Sequence, residues 1–275
     1  MNAGGSGNAA GTVVVIGGSS GIGLAVARRS LADGATVVIA GRSRQRLDAA
    51  CAELAQTELA QDGPAQAGPR QAGPAQAGPG QAGPDAVPLS AYPADIGDLA
   101  QVTRLFEQVG TLSHLVVTAA DLPYGPAVSL SEDSMVRAVR SKILGPLFAA
   151  QQAAPRITTP GSITFTSGVA ASRPAPGGAL AATVNGALEA MVRALALELA
   201  PIRVNAVSPG WVDTPVWDHL ATPDVKNARL AGLAARLPAR RLGRPEDIAN
   251  AVAFLITDDF VTGTVLHAEG AQILV

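Results

Sequence analysis

Residues 12–27 read TVVVIGGSSGIGLAVA, and the fold turns on how these residues divide. Thr12 to Ile16 is a short, nearly all β-branched run, which reads as a buried strand. Three glycines follow at Gly17, Gly21 and Gly23, where that strand passes into a helical pattern, GIGLAVARRSLADG. Gly17 permits a tight turn. Gly21 removes a side chain where a pyrophosphate would approach, and Gly23 lets the helix lie close to the sheet. The helix N-terminus then aims unpaired N–H groups at bound phosphate. A glycine triplet alone is a weak signal; closing the first strand of a β-α-β unit gives it force.

Working outward, strand and helix signals alternate along the chain. Gly34 is placed to stop the first helix, and residues 36–40, TVVIA, form a second strand. Ser43 caps a helix whose apolar positions include Leu47, Cys51 and Leu54. A third strand falls near Val87 to Tyr92, and Asp98 caps the helix after it. Residues 114–120 give a fourth strand, and Ser131 caps one long helix, residues 131–154. Residues 161–167 give a fifth strand, followed by a helix to about Ala200 and a sixth strand at 202–208. Pro245 opens a helix at the position that suits proline, and residues 263–270 supply a last strand. This alternation predicts a single α/β domain over residues 1–275: a Rossmann-like, doubly wound parallel sheet with helices on both faces.

Two stretches depart from the rhythm. Residues 1–11 read as a flexible lead-in with neither a basic region nor an apolar one, and so not as a signal peptide. Residues 61–86 contain QAGP four times in a five-residue repeat, too rich in Gly and Pro for a helix or a ladder. They read as a mobile surface insert. A formal charge of −2 without a basic run argues against nucleic-acid or anionic-membrane binding. No apolar run approaches the roughly 20 residues that span a bilayer. Cys51 is the sole cysteine, which excludes an intrachain disulfide and fits a cytoplasmic location. His114, His219 and His267 are scattered without metal-ligand spacing, so no metal is expected.

The second strand ends in VVIAGRS. Dinucleotide folds read the adenosine ribose here: an acid favours a free 2′-OH and an arginine a 2′-phosphate. Gly41 holds the acidic position, Arg42 follows, and Arg44 is nearby. A planar guanidinium grips phosphate through paired hydrogen bonds, and nothing acidic in this stretch opposes it. The pattern predicts NADP(H) over NAD(H).

Beyond its tail and insert, the chain resembles the short-chain dehydrogenase/reductase family. IGGSSGIG matches the family's TGxxxGIG with Ile16 in the Thr position, which implies that Ser19, Ser20 and Ile22 join the three glycines at the coenzyme. PADI matches the adenine-contacting pair, on Asp95 and Ile96. GSITFTSG matches the strand that ends in the catalytic serine and puts that role on Ser167. ELAPIRVNAVSPGWVDT matches the segment that lines the nicotinamide pocket, here Pro209, Gly210, Val212 and Thr214. Residues 242–270 match the family's C-terminal segment. The resemblance implies a homodimer or homotetramer acting on a small molecule.

The departures are as informative. The family's NNAG after strand four is VTAA, Val117 to Ala120, with Ala119 as the implied coenzyme contact. Its catalytic Asn falls on Lys142, and its YxxxK pair on Ala181 and Asn185. No Tyr or Lys lies between Ser167 and Pro209, so no realignment restores the pair. In the family the tyrosine protonates the carbonyl oxygen and the lysine tunes it and holds the ribose. Ala181 donates nothing, and Asn185 offers a ribose hydrogen bond without charge. A lost general acid costs about 10²–10⁴ in rate.

Several residues are candidates to fill the gap. Ser167 could orient the substrate. Lys142, if partly buried, could carry a proton near neutral pH, or a water chain could. Tyr124 and Asp121 share the loop after strand four, with structural loop roles as the competing reading. Trp211, Trp217 and His219 lie in the segment that covers the substrate in relatives; the tryptophans read as an apolar substrate wall or as packing between subunits, and His219 as a substrate contact or a histidine on the lid surface. His114 and His267 read as structural. The leading function is hydride transfer to or from a small, largely apolar carbonyl, alcohol or activated alkene. The alternatives are a non-redox cyclase, isomerase or dehydratase, and an inactive nucleotide-binding subunit.

Overall fold

A computed structural model describes residues 11–61, 88–215 and 223–275. The QAGP insert apart from Gln61, the lead-in apart from Gly11, Trp217 and His219 lie outside the described residues. Seven parallel strands form one sheet: β1 (Thr12–Ile16), β2 (Thr36–Gly41), β3 (Leu89–Pro93), β4 (Leu112–Val117), β5 (Ile157–Thr166), β6 (Arg203–Pro209) and β7 (Val265–Ala268). Their order is β3-β2-β1-β4-β5-β6-β7. The direction of travel reverses between β1 and β4, which opens a crevice at their C-terminal ends.

Strand alternation distributes the core to both faces. Val14 and Ile16 point toward α3 (Leu99–Val109), α5 (Gly145–Ala153) and α6 (Ala179–Glu198), where Phe106, Ala150, Leu188 and Val192 are buried. Val13 and Val15 point toward α1 (Gly21–Ala32), α2 (Arg44–Gln61) and α8 (Pro245–Thr257), where Val26, Leu47, Leu54 and Val252 are buried. Strands buried on both faces explain the nearly unbroken apolar runs in the sequence.

The predicted caps are present. Asp98 accepts from the N–H groups of Ala100 and Gln101, and Ser131 accepts from that of Ser134. Ser43 Oγ accepts from Arg46 N at 3.3 Å. Gly34 adopts φ +85 just past α1, and Pro245 is the first residue of α8. At the far end of α8, the buried Arg203 guanidinium donates to the carbonyls of Leu255 and Ile256 at 2.6 and 2.8 Å. It satisfies acceptors that a helix C-terminus otherwise leaves open.

Three features differ from the sequence expectation. The helix over 131–154 is two, α4 (Glu132–Val139) and α5, joined by a π-helical turn over Arg140–Leu144. Strand β4 ends at Val117, so residues 118–120 are loop. A helix that the sequence reading passed over, α7 (Pro223–Arg236), precedes α8. Among the described residues α6 alone, at 20 residues, is long and apolar enough to cross a membrane, with mean hydropathy 1.3 over an 18-residue stretch. Its Ala181, Val184, Leu188, Val192 and Leu195 face the core instead.

Candidate functional site

The glycine loop is a backbone crowded against backbone. Gly17 has φ +97 and its N–H donates to Ala40 O at 2.7 Å, tying the turn to β2. A Cβ on Gly23 would lie 2.1 Å from the Gly17 carbonyl oxygen, and one on Gly17 would lie 2.6 Å from Ala119 N. Gly21 has φ +53, with Thr214 beside it: the Thr214 methyl would stand 3.4 Å from a Cβ there. The first turn of α1 carries no acidic residue, and its cap position, Ser20, makes no side-chain cap. The helix therefore presents a positive end with open N–H groups beside Ser19, Ser20 and Ile22.

The other expected coenzyme residues surround this loop to differing degrees. Ala119 N donates to Ile16 O at 3.1 Å, so the start of the β4 loop lies on the glycine turn. Pro209 ends β6, Gly210 follows it, and buried Val212 bridges to Gly243, which brings Thr214 over Gly21. Asp95 Oδ1 accepts from Gly97 N at 2.9 Å, so the carboxyl is fixed by its own turn. Ile96 belongs to the core, at 4% exposed.

Arg42 is exposed at the end of β2, as expected, but its surroundings need a correction. Although its own sequence neighbourhood holds no acid, the loop after β4 returns to place Asp121 Oδ2 3.5 Å from Arg42 Nη1. Sequence adjacency could not show a contact made across two strands.

The residues expected to do chemistry form a second, interior cluster. Ser167 follows the last residue of β5 and is buried, and its Oγ donates to Glu189 Oε1 at 2.7 Å. Lys142 sits in the π-helical turn at 3% exposed, and its ammonium donates to the main-chain carbonyls of Thr166 and Ser167. Burial pushes the Lys142 pKa down to about 8, partly opposed by the Glu189 carboxylate. The wider helical turn lets an inward side chain reach the strand end, and such turns recur at functional sites. Lys142 is thus more deeply buried than the sequence expectation required, and in this structure both its ammonium and the Ser167 hydroxyl are engaged by protein partners.

Glu189 was missed because it lies two helical turns beyond Ala181, in a helix read only for its Tyr and Lys positions. Ala181 and Asn185 are both buried on the core face of α6. Asn185 Oδ1 has no hydrogen-bond partner among the described residues. A Cβ on Gly168 would come 2.9 Å from Asn185 Nδ2, so the amide fills the side-chain space at the end of β5. Gly125 N donates to Gly177 O at 3.0 Å, docking the loop that carries exposed Tyr124 onto the start of α6.

His114 and His267 lie in β4 and β7. His114 Nδ1 is 2.9 Å from Ser162 Oγ, and burial, with Arg203 adding to it, holds its pKa down to about 4. Trp211 lies under the Arg236 guanidinium, 5.5 Å from ring centroid to carbon. No group of three His, Cys, Asp or Glu that could hold a metal ion occurs among the described residues.

A family model described as "Enoyl-(Acyl carrier protein) reductase" matches residues 75–270, and one described as "short chain dehydrogenase" matches residues 11–67. The chain belongs to the short-chain dehydrogenase/reductase family. The family member ATR9 of Stachybotrys chlorohalonatus is 35% identical over 274 residues, covering 96% of this chain and 97% of that one. A solved small-chain dehydrogenase in complex with NADPH is similar at TM-score 0.75 and 30% identity, covering 96% of this chain and 99% of that one. The MalC reductase/Diels-Alderase of Malbranchea aurantiaca is similar at TM-score 0.79 and 29% identity, covering 96% of this chain and 95% of that one. The split between the two matching family models falls inside the QAGP insert, and the seven-stranded sheet is that of the family's Rossmann-like fold.

Proposed function

We propose that the protein is an NADP(H)-dependent oxidoreductase of a small, largely apolar carbonyl, alcohol or activated alkene. The observation that carries this reading is the glycine loop, where backbone fills the side-chain space at Gly17 and Gly23 beneath an open helix N-terminus, with Arg42 at the end of β2. These residues fit a dinucleotide: Gly17, Ser19, Ser20, Gly21, Ile22 and Gly23 at the pyrophosphate, and Arg42 at a 2′-phosphate. Asp95 and Ile96 stand at the adenine side, and Ala119, Pro209, Gly210, Val212 and Thr214 toward the nicotinamide. Asn185 Oδ1 is a buried acceptor without a partner among the described residues, beside Gly168 at the end of β5. When bound, the nicotinamide supplies or accepts hydride. The solved NADPH complex of a 30% identical relative supports the same reading.

In this proposal Ser167, Lys142 and Glu189 are positioning residues. Their hydrogen-bonded network holds the end of β5 against α6 and the π-helical turn. The proton comes through water rather than from a side chain at Ala181. An activated alkene eases that burden, because protonation at carbon does not require an acid at the carbonyl oxygen. The whole chain acts as one domain with the QAGP segment as an insert. It assembles as a homodimer or homotetramer in the cytoplasm, which fits the exposed Met135, Val136, Leu144 and Leu147 along α4 and α5. A single monomer peak in light-scattering chromatography would reject the oligomer.

The deciding experiment is a fluorescence titration with NADPH and NADH on the wild type and Arg42→Ala. The expected result is tighter NADPH binding that the substitution weakens. Failure to bind either nucleotide would overturn the reading. One observation favours a second, non-redox function: the MalC relative is described as both a reductase and a Diels-Alderase. Conversion of a substrate without change in nicotinamide absorbance would select it.

A further inference from the structure

Asp121 stands at the crevice between β1 and β4, facing arginines from both sides. Arg42 reaches it from the end of β2, with Nη1 3.5 Å from Oδ2. Arg137 reaches it from α4, with Nε 3.5 Å from the same oxygen. The two arginines differ in what else holds them. Arg137 is also paired with Asp133 one turn earlier on α4. Arg42 is 63% exposed, and Asp121 is its one charge partner among the described residues.

The backbone of Asp121 is fixed. Its N–H donates to Ser141 Oγ at 3.0 Å, and that hydroxyl lies 3.3 Å from the Asp121 carbonyl oxygen. Ser141 belongs to the π-helical turn and is buried. Asp121 therefore enters the pair from an anchored backbone with a second arginine on its carboxylate, whereas Arg42 has no other charge partner among the described residues.

A coenzyme with a free 2′-OH asks nothing of Arg42, and the ion pair stands as it enters. A 2′-phosphate competes for the same guanidinium. It must draw Arg42 away from Asp121 and then hold a dianion near a carboxylate that Arg137 still faces from α4. Exposed ion pairs at this separation are weak, so the exchange is reachable, but it carries a cost that falls only on the phosphorylated coenzyme.

We propose that Asp121 is a specificity-determining residue of the coenzyme crevice, an internal anion that occupies Arg42 and that a ribose 2′-phosphate must displace. The inference rests on the coenzyme reading above. It predicts that the arginine's preference for NADPH is restrained by a residue from another strand.

The test is fluorescence titration of the full chain with NADPH and with NADH, for wild type, Asp121→Asn, Arg42→Ala and the double variant. Circular dichroism and thermal melts check that each is folded. Asp121→Asn should tighten NADPH binding roughly three- to tenfold and leave NADH within about twofold. The gain should shrink in the Arg42→Ala background and at high salt. Unchanged NADPH affinity in folded Asp121→Asn overturns the inference while leaving the coenzyme reading intact. So does weaker NADPH binding, which would mean that Asp121 orients Arg42 for phosphate. Absence of binding by every form removes both.

Discussion

The Ser167 hydroxyl donates to the Glu189 carboxylate at 2.7 Å, and the Lys142 ammonium donates to the Ser167 main-chain carbonyl. Three residues from β5's end, α6 and the π-helical turn thus close one network, in which Ser167 and Lys142 are buried and Glu189 is half-buried. Burying the ammonium alone would be costly. A lysine deprived of water favours its neutral form. Together, main-chain carbonyls solvate the ammonium, a hydroxyl solvates the carboxylate, and the opposite charges attract.

Glu189→Gln should therefore lower the Lys142 pKa further below about 8, because the carboxylate is what opposes the effect of burial. The chain has two lysines, Lys142 and Lys226, so the Cε resonances of lysine-labelled protein report the titration directly. The native pair also gives a stability signature. The folded pKa lies below the unfolded value of 10.5, so the unfolded chain binds more protons between about 8 and 10.5. Stability from this group rises with pH through that window and is flat below it. An unmoved Lys142 resonance in Glu189→Gln would show that the two charges do not communicate.

Gly23→Ala tests the glycine loop without touching a charge. Its Cβ would fall 2.1 Å from the Gly17 carbonyl oxygen, a backbone atom that cannot rotate away. Either α1 lifts from the sheet or the turn opens. We expect a loss of about 1–3 kcal/mol in stability, read by urea unfolding, and nucleotide binding reduced beyond detection. A variant of native stability and native NADPH affinity would place the dinucleotide elsewhere.

How much of this was legible follows from the range of the interactions involved. The turn glycines, the caps at Ser43, Asp98 and Ser131, and Pro245 act within a few residues of themselves, and the sequence displays them openly. The π-helical turn leaves no such mark, because residues 140–144 continue an apolar pattern that an α-helix would satisfy equally. Pro223 and Asp224 mark the start of α7, but the helix has no apolar periodicity strong enough to stand out from the segment before it. Glu189 was invisible as a site residue because its partners, Ser167 and Lys142, are distant in sequence and meet only through the parallel sheet. The Asp121–Arg42 pair was hidden for the same reason.

His114 sets an acid limit. Burial holds its pKa down to about 4 against an ordinary 6.5, so the folded state keeps it neutral where the unfolded chain is protonated. The unfolded state then binds more protons between those values, and stability falls as pH drops through the window. A gap of that size corresponds to about 3 kcal/mol once pH reaches the lower value. Urea unfolding of wild type and His114→Gln at pH 7 and pH 4.5 measures it. The variant should lose less stability on acidification, and an equal loss would assign the acid sensitivity to carboxylates instead.

Restoring the family's Tyr and Lys should not restore an ordinary active site. Ala181 is 1% exposed and Asn185 3%, so neither occupies a vacant pocket. A tyrosine at 181 adds a ring to a filled position on the core face of α6. A lysine at 185 carries a second ammonium into the helix that already holds Glu189, beneath Gly168 and without the carbonyl partners that solvate Lys142. Overpacking alone costs about 1–3 kcal/mol, and burying a second ammonium adds to it. Ala181→Tyr/Asn185→Lys should therefore melt about 5 °C or more below wild type and show no gain in NADPH oxidation with small ketones. The physical reason is that helix position alone does not make a proton donor: the groove around it must also be cut to fit. A double variant that melts like wild type and gains turnover would mean that the groove survives and only two side chains are missing.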